Sequence, residues 1–72
     1  MKRAHINSSV FEQVGYDLEK QILELKFKDD DGPVWQYLNL PMRVFRAFMR
    51  AASKGNYFVT RIKGKYPEKK VT

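Results

Sequence analysis

Arg43, Arg46, Arg50 and Lys54 recur at intervals of three and four residues, the spacing that stacks side chains along one face of a helix. On a wheel of about 100° per residue the four fall within roughly 80° of one another. A row of cations so arranged suits a polyanion, because each side chain that meets a phosphate releases condensed counterions. Arg61, Lys63 and Lys65 come later in the chain and extend the basic run. A plainer reason for such a face exists, since arginine forms helices well and an amphipathic helix turns its polar residues outward. The face contains no acid, and that tips the choice towards nucleic acid or another polyanion.

Trp35 and Tyr37 alternate on one side of a strand-like stretch and could offer rings on which unpaired bases stack. The competing reading makes them a core face beneath a helix, and burial is the commoner fate of large aromatics in a small chain. Tyr57, Phe58 and Tyr66 pose the same choice. There the interleaving with Arg61, Lys63 and Lys65 strengthens the binding reading.

Other chemistry finds little support. His5 lies near Ser8 and Ser9, yet nothing orients the imidazole and no nucleophile elbow is present; Ser9 reads better as a local backbone hydrogen-bonder in an entry turn. Asp29, Asp30, Asp31 and Gly32 lack the alternating oxygen ligands and distal glutamate of a calcium loop and read as an acidic turn. One histidine and no cysteine leave few metal ligands and no thiolate. No glycine-rich phosphate loop follows a strand. The expectation is a non-catalytic protein with no catalytic residues, no metal and no cofactor.

These side chains must be positioned by a chain of 72 residues and 8.5 kDa, enough for one small domain, 1–72, and too short for a generous core. With 43% hydrophobic and 14% aromatic residues it is too apolar to stay unfolded. No apolar run approaches the roughly 18 residues of a membrane span, and MKRAHINSS lacks the apolar centre of a signal peptide. A cytoplasmic protein with no membrane partner is expected. The net charge of +6 is unevenly spread. Residues 1–40 carry five basic and seven acidic residues, whereas residues 41–72 carry nine basic residues and only Glu68.

Alternation of apolar and polar residues marks a first strand over 10–16 and a second over 21–28, with Leu23, Leu25 and Phe27 on its buried face. The turns are Asp17-Leu18-Glu19-Lys20 and Asp29 to Pro33. A third strand, 34–40, is apolar on both sides and wants cover on both. Pro41 ends it and opens a helix, with Met42, Phe45, Phe48, Met49 and Ala52 on the apolar face and Gly55 closing it after Lys54. Residues 56–66 have the β-propensity of a strand, yet Phe58, Ile62 and Tyr66 recur at intervals of four, which favours a helical turn. Core residues are expected over about 6–67, with 1–5 and 68–72 as mobile ends.

Taken in order, Ser8-Ser9, Val14-Gly15-Tyr16-Asp17, Leu23-x-Leu25-x-Phe27, Trp35-x-Tyr37, Leu40-Pro41, Val44-Phe45, Ala52-Ser53-x-Gly55-x-Tyr57-Phe58, Ile62 and Tyr66-Pro67 resemble the KTSC domain. That family takes its name from the C-terminus of certain lysyl-tRNA synthetases and also occurs as small stand-alone bacterial and phage proteins. Its central element is a Tyr-x-Tyr pair, and here the first position is Trp35, which keeps the ring and loses the hydroxyl. The resemblance implies RNA as a partner through the synthetase context, and it carries over no catalytic or binding residue.

The combined expectation is an α+β domain, a three-stranded antiparallel meander packed by one amphipathic helix, plus a short C-terminal helical turn. Its expected function is nucleic-acid binding, RNA favoured over DNA, through Arg43, Arg46, Arg50, Lys54, Arg61, Lys63 and Lys65, with Trp35 and Tyr37 as candidate stacking rings. The alternative is a protein-interaction or inhibitor module, phage-type or homodimeric, that engages an acidic partner surface.

Overall fold

The computed structural model describes residues 2–29 and 32–71. Asp30 and Asp31, at the centre of the expected acidic turn, lie outside the described residues. The chain folds as a five-stranded antiparallel meander, β1 (Ala4–His5), β2 (Phe11–Asp17), β3 (Ile22–Phe27), β4 (Val34–Tyr37) and β5 (Glu68–Lys70), in that spatial order. Between β4 and β5 the chain forms α1 (Met42–Arg50) and α2 (Lys54–Tyr57), the latter running on into a π-helical stretch, Phe58–Ile62. The α+β class holds. The sheet is larger than the three strands read from sequence, because the segments taken as free ends, Ala4–His5 and Glu68–Lys70, pair with β2 and β4. Both are too short and too polar for alternation to reveal them.

Register decides what faces the helices. Leu25 pairs with Val14 and Trp35, and Leu23 with Tyr16 and Tyr37, so these side chains share one face. The helical layer supplies Phe48, Phe58 and Ile62 to the same core. Simple alternation would turn Phe11 away from Val14. A register shift between Phe11 and Gln13 inserts one extra residue, as a β-bulge does, and so Phe11 enters the core. There it packs against Phe27, Phe48 and Phe58 at ring separations of 5.0, 5.6 and 5.4 Å.

The third strand also departs from its expected course. It stops at Tyr37, and Asn39 adopts a left-handed conformation (φ 58°) that asparagine tolerates. This turn sends Leu40 into the core beside Tyr37. The Leu40 carbonyl accepts the Tyr16 hydroxyl proton at 2.6 Å. Tyr16 in turn stacks on Phe45 of α1, with centroids 4.6 Å apart and planes at 9°. The β4–α1 junction is thereby tied to β2.

The turns behave largely as read. Asp17 Oδ1 accepts from Lys20 N at 3.0 Å, and the Gly32 amide donates to Asp29 O at 2.9 Å. In the entry turn it is Ser8, not Ser9, whose Oγ accepts from the amides of Val10 and Phe11. His5 is exposed on β1 opposite Gln13.

The face of the sheet away from the helices holds a buried acid. Glu24 is 5% exposed although its position in β3 reads as outward and polar. Arg3 folds over it, with Nη1 2.6 Å from Glu24 Oε2 and Nε donating to Gln13 Oε1 at 3.0 Å. Gln36 Nε2 donates to the other carboxylate oxygen at 2.8 Å. Gly15 allows this approach, since a Cβ there would stand 2.6 Å from the Lys2 carbonyl oxygen. A buried carboxylate needs such partners, because desolvating it alone costs on the order of several kcal/mol.

Candidate nucleic-acid interface

The helix expected to run to Lys54 breaks at Ala51, which is extended (ψ 138°). Ser53 then caps α2, its Oγ accepting from Asn56 N at 3.2 Å, as N-cap serines do. Gly55 therefore lies inside α2 rather than closing α1. Lys54 begins α2, half-buried, with Nζ 3.5 Å from the Ala51 carbonyl. The break redirects the chain so that Phe58 and Ile62 are both buried. Beyond it, the Lys63 amide donates to Phe58 O at 2.8 Å, five residues back, the bond of a π-helix. The helical reading of 56–66 holds through Ile62, after which Gly64 (φ 79°) turns the chain towards β5.

Consequently the four-membered stripe of the sequence divides. Arg43, Arg46 and Arg50 remain on the exposed side of α1, opposite the buried Phe48. Arg61, Lys63 and Lys65 are exposed on the π stretch and the turn after it. Ion pairs among the described residues join Arg3 to Glu24 and Lys26 to Glu12, and neither engages these six cations.

Tyr37 is 2% exposed and meets Phe58 at a centroid distance of 5.3 Å. Its ring is closed to any ligand, which corrects its place among the candidate stacking residues. Trp35 is half-buried and packs against the same core. The two-sided strand is thus explained by the helical layer over Trp35 and Tyr37, while Val34, paired with Lys26, is buried from the other side. Burial raises the Tyr37 phenol pKa well above its ordinary value, and Glu68 opposite it on β5 adds to the rise. The folded state then holds a proton that the unfolded chain releases near pH 10, so this contribution is intact below about pH 10 and is lost as pH climbs above it. Denaturant midpoints measured across that range should fall more steeply for the native protein than for Tyr37→Phe. Equal slopes would show that another group governs alkaline unfolding.

Two half-buried tyrosines do reach a surface recess. Tyr57 and Tyr66, with Val44, Thr60, Arg61 and Lys65, line a groove of about 690 Å³ between α1 and the π stretch. The interleaving of aromatic and basic residues over 57–66 signalled this cluster. Val44 and Thr60 carried no signal, because neither is charged or aromatic. Among the described residues no group of three or more His, Cys, Asp or Glu side chains could hold a metal ion, and no helix is long and apolar enough to cross a membrane.

The fold and its surface define a small α+β domain whose helical layer is strongly basic and whose sheet turns a mixed polar face outward. The KTSC domain model matches residues 7–66, and the chain belongs to that family. It is 40% identical over 58 residues to an uncharacterized protein of Stutzerimonas stutzeri, covering 81% of this chain and 79% of the relative. It is 38% identical over 58 residues to a lysine–tRNA ligase of Nostoc punctiforme, and there the match spans only 10% of the longer protein. The crystal structure of a KTSC domain protein from Yersinia pestis superposes with a TM-score of 0.89 at 38% identity, covering 99% of this chain and 97% of that one.

Proposed function

We propose that the protein is a non-catalytic nucleic-acid-binding module that favours RNA and docks phosphates on its helical layer. The observation that carries this reading is the set of six exposed cations, Arg43, Arg46, Arg50, Arg61, Lys63 and Lys65, on α1 and on the segment beside it. Neither ion pair among the described residues neutralises them, and cations left so raise the local potential and draw in polyanions. The likeness to part of a lysine–tRNA ligase favours RNA over DNA. Lys54 takes a lesser part, since its stem is half-buried. Trp35 contributes packing, and Tyr37 no contact.

The alternative, an acidic protein surface or a second copy of the chain, would use the same cations. The edges of the sheet give it little help, because β1 has two residues and β5 reads Glu-Lys-Lys, and short, charged edge strands resist pairing with another chain.

Fluorescence anisotropy of labelled RNA and DNA across a series of salt concentrations tests the reading. If four cations meet phosphates, log K falls against log salt with a slope of about −3 to −4. Absence of binding at low salt, or binding indifferent to salt, would overturn it.

A further inference from the structure

The groove beside α1 has more specific chemistry than the arginine row. A second recess, of about 480 Å³, is lined by Ala51, Ala52, Ser53 and Asn56 and shares Tyr57, Thr60 and Arg61 with the first. The two adjoin through these shared residues as one channel beside α2 and the π stretch, each recess within the range of about 300–1,000 Å³ in which small ligands are held. Its lining combines two tyrosines with two cations and no acid. Tyr57 is anchored by the core, its ring centroid 6.3 Å from that of Phe48. Thr60 Oγ1 donates to the Asn56 carbonyl at 2.8 Å, which leaves its oxygen free to accept a hydrogen bond.

Resting on the nucleic-acid reading above, we infer that this channel takes an unpaired nucleotide, so that the protein selects single-stranded or looped RNA over duplex. In this arrangement the base lies against Tyr57 and Tyr66 while Arg61 and Lys65 hold the flanking phosphates. A paired base cannot use the site, because its faces are covered by its neighbours in the stack. Arg43, Arg46 and Arg50 then follow the backbone as it leaves the channel.

The test measures anisotropy with a labelled unstructured RNA strand and with the same strand annealed to its complement. Unpaired RNA should bind about tenfold or more tightly than duplex. Tyr57→Leu and Tyr66→Leu should each weaken binding to the unpaired strand by about 5- to 150-fold, the loss that one stacking ring carries, and leave duplex binding unchanged. Tyr57→Phe and Tyr66→Phe, which keep the rings, should bind as the native protein does. Circular dichroism checks that each variant is folded; should Tyr57→Leu unfold, Tyr66→Leu decides. Equal affinity for both forms of RNA, or native affinity in a folded leucine variant, would overturn the inference while leaving the phosphate-docking reading intact. Failure to bind either form would remove both.

Discussion

Phe11→Ala should lower the stability of the protein by about 3–5 kcal/mol, the usual cost of emptying a buried phenylalanine site. Phe11 is 0% exposed and touches rings from the sheet and from both helical segments, so no single neighbour can move in to fill the space. A chain of this length has a total stability of about 4–11 kcal/mol. The variant therefore sits near the edge of folding, with a melting temperature lower by roughly 12–40 °C. Thermal melts followed by circular dichroism will show it. Leu18→Ala is the control: Leu18 is 62% exposed in the β2–β3 turn, and its loss should change stability by no more than about 0.5 kcal/mol. A Phe11→Ala melt close to that control would mean that the bulge in β2 does not direct Phe11 inward in solution.

A large loss of binding is also expected from Arg46→Glu with Arg50→Glu. Both residues are exposed on α1, and losing two phosphate contacts to a single strand should make the salt slope shallower by about 1.4. At 0.1 M salt that corresponds to about a 25-fold loss of affinity, and the acids introduced add repulsion to it. The fold should tolerate the change, with a cost of about 0.3–1 kcal/mol for an acid in the last turn of α1. The control is Lys20→Glu with Lys69→Glu, which changes the net charge equally. Lys20 lies in the β2–β3 turn, and Lys69, opposite Gln36, is on the face away from the helices. If the control loses as much affinity as the α1 variant, net charge and not a site governs attraction. Native affinity in the α1 variant would remove the arginine row from the interface.

Several elements were legible because their signal is local. Leu23, Leu25 and Phe27 alternate with Glu24 and Lys26, and β3 presents them as that period demands. Pro41 stands before α1, and its carbonyl accepts from the Val44 and Phe45 amides at 3.0 and 3.2 Å. The exposed positions of Arg43, Arg46 and Arg50 follow from spacing alone. Alternation failed at Phe11 and Leu40 because one bulge and one left-handed asparagine each reverse the parity between the residues on either side. Neither device leaves a mark in hydrophobic pattern. Lys54 left the stripe because Ser53 offers a new helix start, which a wheel drawn through it ignores.

The amino-acid sequence by itself determined the α+β class, the family, the concentration of positive charge in residues 41–72 and the arginine row of α1, since composition, periodicity and turn chemistry act over a few neighbouring residues. Only the tertiary structure decided that Tyr37 is core and Tyr57 and Tyr66 reach the surface, that Arg3 covers Glu24, and that both ends of the chain extend the sheet. Each of these outcomes depends on which distant segment arrives to exclude water from a side chain, and such arrivals are set by packing of the whole fold rather than by local pattern.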